Sequence, residues 1–243
     1  MIPKIIHYCW FGRGQMPELA LRCIESWKRY CPDYELKLWN EDTFDIKTNK
    51  FVREAYVNKK YAFVTDYVRL YALYTIGGVY MDTDVEVLRP IDEFLTNHAF
   101  TGFEVTEAIP TGIMAAEKGN SWVKRELDYY TNLSFIRSNG AFNTTPNVQI
   151  ITAHALAQGL IPNGCFQVLK GGVAIYPKDY FCPKSYVDGK IYLTDNTYTI
   201  HHFAGSWHNI SPIEKKLTKV FGNVWGTRVW KLYNLCRKIL FKL

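Results

Sequence analysis

The first part of the chain alternates between strand-like and helix-like spacing of its apolar positions. Residues 4–9 form a short apolar run typical of a buried strand, and residues 17–30 repeat apolar side chains at helical spacing. Residues 34–39 again predict a strand. A strand–helix–strand order predicts a right-handed βαβ unit with parallel pairing.

The next part predicts two helices and a central strand. Residues 51–58 and 62–76 have helical spacing, and Gly77 is suited to the left-handed position that ends a helix. Residues 77–87 are apolar and β-prone, which predicts a buried strand carrying Asp82 and Asp84.

The remainder of the main body is predicted in shorter pieces. Strands are expected at 99–104 and 113–116, helices at 120–130 and 145–159, a polar loop at 132–143, and short strands and turns over 164–197. With no internal repeat or long linker, one domain over residues 1–210 is the better prediction.

Residues 211–243 differ from the rest in charge. They hold eight Lys/Arg and one acidic residue, a net of +7, so the first 210 residues carry −1 of the total of +6. An apolar helical stripe over 224–243 is interleaved with basic residues, which is typical of a helix lying on an anionic membrane surface. The alternative is a helix packed on the domain with a solvated basic face.

Composition narrows the class of protein. Hydrophobic content of 48% and charged content of 21% are typical of a folded globular chain. The near-neutral main body predicts no nucleic-acid partner. The six cysteines have no metal-finger spacing, and no signal peptide or apolar 18-residue run is found, so we expect a cytoplasmic protein with reduced thiols.

Asp82 and Asp84 are the first candidates for chemistry. Side chains two apart on a strand leave it on the same side, so both carboxylates can reach one ion. Hard oxygen ligands suit Mg²⁺ or Mn²⁺ shared with a substrate phosphate. The alternative for an isolated match is a solvated turn. Asp66 and Arg69 share a helix face, either as an internal ion pair or as a ligand-facing acid and base.

Three histidines and a tryptophan surround a Gly-Ser pair at residues 198–208. A histidine pair alone is more often structural than metal-binding. Together with the upstream carboxylates, the stretch suggests a third metal ligand.

Three runs together resemble glycosyltransferase family 32. They are residues 2–10 (IPKIIHYCW), residues 62–69 (AFVTDYVR) with 77–84 (GGVYMDTD), and residues 202–207 (HFAGSW). That family includes yeast outer-chain mannosyltransferases and bacterial capsular polysaccharide glycosyltransferases with a DXD motif. The resemblance covers residues 2–90 and about 200–208, is weak between about 120 and 195, and is absent from the basic tail.

The resemblance implies an α/β fold of the GT-A type, a Rossmann-like mixed sheet flanked by helices that binds a nucleotide-sugar donor with Mn²⁺ or Mg²⁺. By matching positions, the metal ligands are Asp82, Asp84 and His202. The residues expected to bind the donor are Trp10, Asp66, Arg69, Tyr80, Asp82, Ser206 and Trp207. The residues expected to be catalytic are Asp66, Arg69, Asp82 and Asp84. Asn147 and Gln149 are candidates for the acceptor side.

The sequence thus predicts a metal-dependent, retaining hexosyltransferase that uses a UDP-sugar or GDP-mannose. We expect a glycan or lipid-linked acceptor in bacterial surface polysaccharide synthesis, with the protein peripheral on the inner face of the membrane. The alternatives are a metal-dependent phosphohydrolase and a non-catalytic sugar-binding module. The first needs more carboxylates for a two-metal site, and the second would bind sugar without metal.

Overall fold

The structure is a computed structural model that describes residues 1–110, 112–185 and 188–205. The helices are α1 (Glu18–Tyr30), α2 (Lys50–Val57), α3 (Tyr61–Thr75), α4 (Ser121–Asp128), α5 (Asn147–Ala157) and α6 (Lys178–Phe181), with a 3-10 helix at Asp92–Thr96. The strands are β1 (Ile5–Cys9), β2 (Glu35–Trp39), β3 (Gly78–Met81), β4 (Val85–Val87), β5 (Ala99–Gly102), β6 (Ile113–Ala116), β7 (Gln167–Leu169), β8 (Val173–Tyr176) and β9 (Thr199–His201). The ends of the first five helices fall within two residues of the predicted ones.

The described residues form a seven-stranded mixed sheet in the order β2-β1-β3-β6-β5-β8-β7. β1 pairs in parallel with β2 and β3, which confirms the predicted βαβ unit, and β5 pairs in parallel with β8. β6 is antiparallel to both β3 and β5. The carboxyl ends of β1, β3, β5 and β8 therefore lie along one edge of the sheet, where ligands bind in open α/β sheets.

The prediction of one strand over residues 77–87 is wrong. The chain leaves the main sheet after Met81, turns through residues 82–84, and pairs β4 with β9 in a separate antiparallel sheet. The turn is closed by the amide of Val85, which donates to the carbonyl of Asp82 at 2.9 Å. Asp residues favour turns because their short side chains compete for backbone hydrogen bonds.

Strand periodicity divides the core between two faces of the sheet. In β3, Val79 and Met81 join the cluster that includes Trp27 of α1, whereas Tyr80 joins the cluster that includes Val64 of α3. The residues of β3 alternate between the two clusters because successive side chains of a strand point to opposite faces of the sheet. Helices cover both faces, as the predicted α/β class requires.

The indole of Trp27 fixes α1 against the second sheet. Its Nε1 donates to the carbonyl of Val85 at 2.7 Å, and the hydroxyl of Ser26 accepts from the amide of Val87 at 2.9 Å. The strand that follows the 82–84 turn, β4, is therefore anchored to α1.

The chain divides into two units. The first is Met1–Pro183 with Leu193–His202, which holds both sheets, and the second is Lys184–Tyr192 with Phe203–Leu243. The described part of the second unit contains a turn in which Lys184 bridges Ile191. Among the described residues, no helix is long and apolar enough to cross a membrane. The predicted tail at 211–243, and its boundary with the domain, lie outside the described residues and stay predictions.

Candidate active site

The turn after β3 presents Asp82 and Asp84 at the carboxyl edge of the sheet. The amide of Asp82 donates to the carbonyl of Gly112 at 2.9 Å, which ties the turn to the residue before β6. The two carboxylates do converge, although they do so from a turn and not from a strand.

Asp66 and Arg69 of α3 form an ion pair that continues to Asp82. Arg69 Nη2 lies 3.4 Å from Asp66 Oδ1 and 3.1 Å from Asp82 Oδ1. The side chain of Arg69 is 12% exposed, that of Asp66 13% and that of Asp82 24%. The interpretation as an internal ion pair is therefore confirmed, and the role of the pair towards a ligand stays a prediction.

Tyr80 supports the same carboxylate from the sheet. Its hydroxyl donates to Asp82 Oδ1 at 2.8 Å, and the Arg69 guanidinium lies 4.6 Å from the centre of its ring. The Tyr80 side chain is buried, so it holds Asp82 from the protein interior.

Burial and neighbouring charges set the protonation of this group. Burial raises the pKa of Asp66 to about 6, against the opposing effect of Arg69. Burial by itself lowers the pKa of Arg69, but Asp82, Tyr80 and Asp66 outweigh it and hold that pKa above its usual range. The guanidinium therefore stays positively charged beside the two carboxylates.

Two buried polar atoms of this group have no hydrogen-bond partner among the described residues. They are Nε of Arg69 and Oδ1 of Asn147. Asn147 begins α5, and its Nδ2 donates to the carbonyl of Asp66 at 3.2 Å. Buried polar atoms without partners are uncommon in folded proteins and suggest a missing ligand or water.

The structure brings the side chain of His201, and not that of His202, to the carboxylates of the turn. His201 Nε2 lies 3.5 Å from Asp84 Oδ1 and 4.0 Å from Asp82 Oδ2. His202 Nε2 instead lies 2.7 Å from Glu86 Oε2. The register of β4 with β9 decides this, since Val85 pairs with His201 and neighbouring strand residues face opposite ways.

The sequence did not single out Glu104 and Lys178, yet the structure places both at the site edge. Glu104 follows β5, and its Oε2 lies 3.9 Å from His201 Nδ1. Lys178 follows β8 and donates from Nζ to the carbonyl of Glu104 at 2.8 Å. Sequence reasoning missed them because Glu104 was predicted inside a strand and Lys178 within a stretch of short strands and turns, so the observed ends and parallel direction of β5 and β8 were needed to place them.

The other predicted site residues are less closely grouped. Trp10 follows β1 at the same edge, with its Nε1 donating to the carbonyl of Gly14 at 2.6 Å. Gln149 is exposed on the first turn of α5. Ser206 and Trp207 lie outside the described residues.

Asp82, Asp84 and His201 fit a divalent cation. Each offers one ligand atom, and these atoms all lie within 4.8 Å of one another. Two carboxylates and an imidazole form a donor set that Mn²⁺ accepts and that Mg²⁺ accepts with water or phosphate oxygens completing its shell.

Comparison with known proteins identifies the segment that carries most of this geometry. Residues 17–101 match the family model described as glycosyltransferase sugar-binding region containing DXD motif. This segment of the chain is thus similar to the DXD-containing region of glycosyltransferases. The match includes Asp66, Arg69, Asp82 and Asp84, so the predicted resemblance to this group of glycosyltransferases is confirmed.

Curated relatives of the DXD region are mannosyltransferases and a viral glycosyltransferase. Inositol phosphoceramide mannosyltransferase 3 of Schizosaccharomyces pombe is 30% identical over 126 residues, which are 50% of this chain and 35% of that protein. An uncharacterized glycosyltransferase of Acanthamoeba polyphaga mimivirus is 27% identical over 153 residues, 60% of each chain. The chain spans about a third of the length of the yeast relatives it matches.

Two solved glycosyltransferases are also similar to this chain. The PaToxG glycosyltransferase has a TM-score of 0.43 and 20% identity, covering 52% of this chain and 58% of its own. A glycosyltransferase involved in glycosylation of the major capsid of PBCV-1 has a TM-score of 0.47 and 14% identity, covering 84% of this chain and 95% of its own.

Proposed function

We propose that this protein is a metal-dependent glycosyltransferase that moves a hexose from a nucleotide-sugar donor to a hydroxylated acceptor. The observation that carries the proposal is the convergence of Asp82, Asp84 and His201 beside the Arg69–Asp66 pair, at the carboxyl edge of the sheet. This edge is where an α/β sheet binds nucleotides, and the group combines cation ligands with a fixed positive charge.

Cleavage of a glycosyl–phosphate bond develops negative charge on the departing diphosphate. A divalent ion held by Asp82, Asp84 and His201 would supply Lewis-acid stabilisation of that charge when bound. Arg69 is oriented by Asp66 and Asp82, so its charge is held in place before the reaction begins, which is the condition for effective electrostatic stabilisation. Its Nε, which has no hydrogen-bond partner among the described residues, is a donor for a phosphate or sugar oxygen.

On the sugar side, we propose that Asp66 and Asn147 bind hydroxyls. Oδ1 of Asn147 lacks a partner among the described residues and can accept from a sugar hydroxyl.

For the stereochemical course we propose retention by front-face attack, in which the leaving phosphate takes the acceptor proton. A trapped glycosyl–enzyme adduct would contradict this course.

Two donor classes come first in any test. UDP-sugars are the donors expected from the sequence, with GDP-mannose second. The similarity to two fission-yeast proteins named as mannosyltransferases supports giving GDP-mannose equal weight here. Both donors would present a diphosphate to the cation site and Arg69, so the described geometry serves either.

The test is a thermal-shift panel of UDP-, GDP- and CMP-sugars, each with and without Mn²⁺, on the wild type and on Asp84→Ala. Ligands that bind only the folded state raise its melting temperature. We expect one nucleotide class to raise it in the presence of Mn²⁺, with the shift lost in Asp84→Ala. Asp128→Ala, at an exposed position on α4, is the matched control and should keep the shift.

The same panel separates the alternatives. A shift that ignores Mn²⁺ and survives Asp84→Ala would favour a non-catalytic sugar-binding module. No shift with any nucleotide sugar, together with hydrolysis of a simple phosphate ester, would favour a phosphohydrolase.

We further propose that the protein acts at the inner face of a bacterial membrane on a lipid-linked or surface-glycan precursor. The support is the net charge of +7 over residues 211–243 and the apolar stripe among those basic residues. Deletion of residues 222–243 should abolish cosedimentation with vesicles containing phosphatidylglycerol. Unchanged cosedimentation would contradict a role for the tail.

A further inference from the structure

Glu104 lies beside the cation site, next to His201. It follows β5, two strands along the sheet from β3, and its Oε2 is 3.9 Å from His201 Nδ1. The other ring nitrogen of His201 faces Asp84 at 3.5 Å. The imidazole therefore stands between the Glu104 carboxylate and the Asp82–Asp84 turn.

The Glu104 carboxylate makes no hydrogen bond within the described part of the chain. The 3.9 Å separation from His201 is longer than a hydrogen bond. Only 24% of the side chain is exposed. A largely buried carboxylate without donors is costly, and a ligand that supplies donors offsets this cost.

The backbone around Glu104 is held in place from three directions. Its amide donates to the carbonyl of Ala108 at 2.9 Å, and its carbonyl accepts from Lys178 Nζ at 2.8 Å. The turn continues to Ile109, whose amide donates to Thr152 Oγ1 on α5 at 3.1 Å. The same helix begins with Asn147, so one rigid element connects the Glu104 turn to the Asp66 side of the site.

The polar side chains of the site are spread along the carboxyl edge of the sheet. The groups suited to a nucleotide sugar lie at the ends of β1 and β3 and on α3. Glu104 and Lys178 lie at the ends of β5 and β8 on the same edge. A carboxylate has two acceptor oxygens and no donor, so it suits a ligand that presents hydroxyl groups.

We propose that Glu104 binds the acceptor, with its carboxylate accepting hydrogen bonds from adjacent hydroxyls of a sugar or polyol. This assignment rests on the proposed transferase function and adds the second substrate to it. It divides the site into a donor side at β1 and β3 and an acceptor side at β5 and β8, with His201 at the boundary.

The test compares Glu104→Ala and Glu104→Gln with Glu107→Ala, a control at an exposed glutamate of the same turn. The acceptor probes are methyl α-D-mannopyranoside, methyl α-D-glucopyranoside and myo-inositol, used with the nucleotide sugar that stabilises the wild type. Three quantities are measured: KM for the probe, the donor-induced melting shift, and donor hydrolysis without a probe.

We expect Glu104→Ala to raise the probe KM by about 10-fold or more, because hydrogen bonds to a charged group contribute on that scale. Donor binding and donor hydrolysis should stay within about 2-fold of the wild type, a ratio that corresponds to less than half of a kcal/mol. Glu104→Gln keeps an acceptor oxygen and should give an intermediate KM, and Glu107→Ala should match the wild type.

Other results would overturn the assignment. An unchanged probe KM in Glu104→Ala would exclude acceptor binding by this residue. A loss of donor hydrolysis together with the donor-induced melting shift in Mn²⁺ would show that Glu104 acts through His201 on the cation site. If the wild type itself neither binds nor hydrolyses any nucleotide sugar, the proposed function fails, and the assignment fails with it.

Discussion

Arg69 Nη2 lies 3.1 Å from Asp82 Oδ1, across the space between α3 and the turn that follows β3. The two residues are 13 apart in sequence and come from different elements, yet they join the helix and the turn into one charged group. This contact connects the fold to the proposed chemistry, since the same guanidinium neutralises Asp66 and Asp82 and faces the site.

Replacement of Arg69 should affect both stability and activity. Arg69→Ala leaves two largely buried carboxylates without their cation, and loss of one partner of a buried pair costs about 3 kcal/mol or more. We expect urea denaturation to show a loss of this size, together with loss of donor binding.

Two further variants sharpen this prediction. Arg69→Lys keeps the charge but loses the planar fork, so it should recover part of the stability and little of the activity. Arg125→Ala, at an exposed arginine of α4, should stay within about 0.5 kcal/mol of the wild type. Wild-type stability in Arg69→Ala would show that the carboxylates do not depend on this contact.

The neighbouring histidines should differ in metal binding. His201→Ala removes the imidazole beside Asp82 and Asp84, and we expect Mn²⁺ affinity to fall by at least about 10-fold, the scale on which altered metal sites lose affinity. His202→Ala removes a side chain that contacts Glu86 and should change the affinity far less. Electron paramagnetic resonance of free Mn²⁺ measures both, and the reverse order would restore His202 as the third ligand.

His7 should make stability fall at acid pH. Its Nδ1 accepts from Trp39 Nε1 at 3.1 Å, and an indole can only donate, so Nε2 carries the proton and donates to the Gly77 carbonyl at 2.8 Å. Burial lowers the pKa of His7 below its usual value. Below about pH 6.5, the unfolded chain therefore gains a proton that the folded chain does not bind.

The free energy of unfolding should consequently fall as pH drops below about 6.5, by at most about 1.4 kcal/mol per pH unit from this residue. Urea denaturation at several pH values measures the slope. His7→Gln should be less stable at pH 7.5 and should lose this part of the slope. The exposed His98→Gln is the control and should keep it. An unchanged slope in His7→Gln would contradict the assignment.

Gly78 should not tolerate a side chain. Its φ is +119°, and a Cβ there would lie 2.7 Å from the carbonyl oxygen of Ile5 and 3.1 Å from His7 Nε2. Gly78→Ala should lower the free energy of unfolding by about 2 kcal/mol or more, because the cost of a strained backbone is added to the cost of a clash with the main chain. Gly14→Ala, which meets nothing within 4 Å, should melt near the wild type, and equal melting of both variants would contradict the prediction.

The sequence by itself predicted what depends on local pattern. The first five helices follow from apolar spacing, and the side chain of Asn120 caps α4 by accepting from the amides of Trp122 and Val123. Asp66 and Arg69 were placed on one face because they are three apart on a helix, and the structure pairs them at 3.4 Å. The order of residue types along the chain was also enough to predict the carboxylate pair, its metal chemistry and the family resemblance.

Only the tertiary structure decided which groups meet at the edge of the sheet. The choice of His201 over His202 depends on the β4–β9 register, and a shift of one residue would exchange the two faces. Glu104 and Lys178 join the site because β5 and β8 run parallel to β3, with β6 between β3 and β5. Strand order and register are set by packing between residues distant in sequence, which local spacing does not encode.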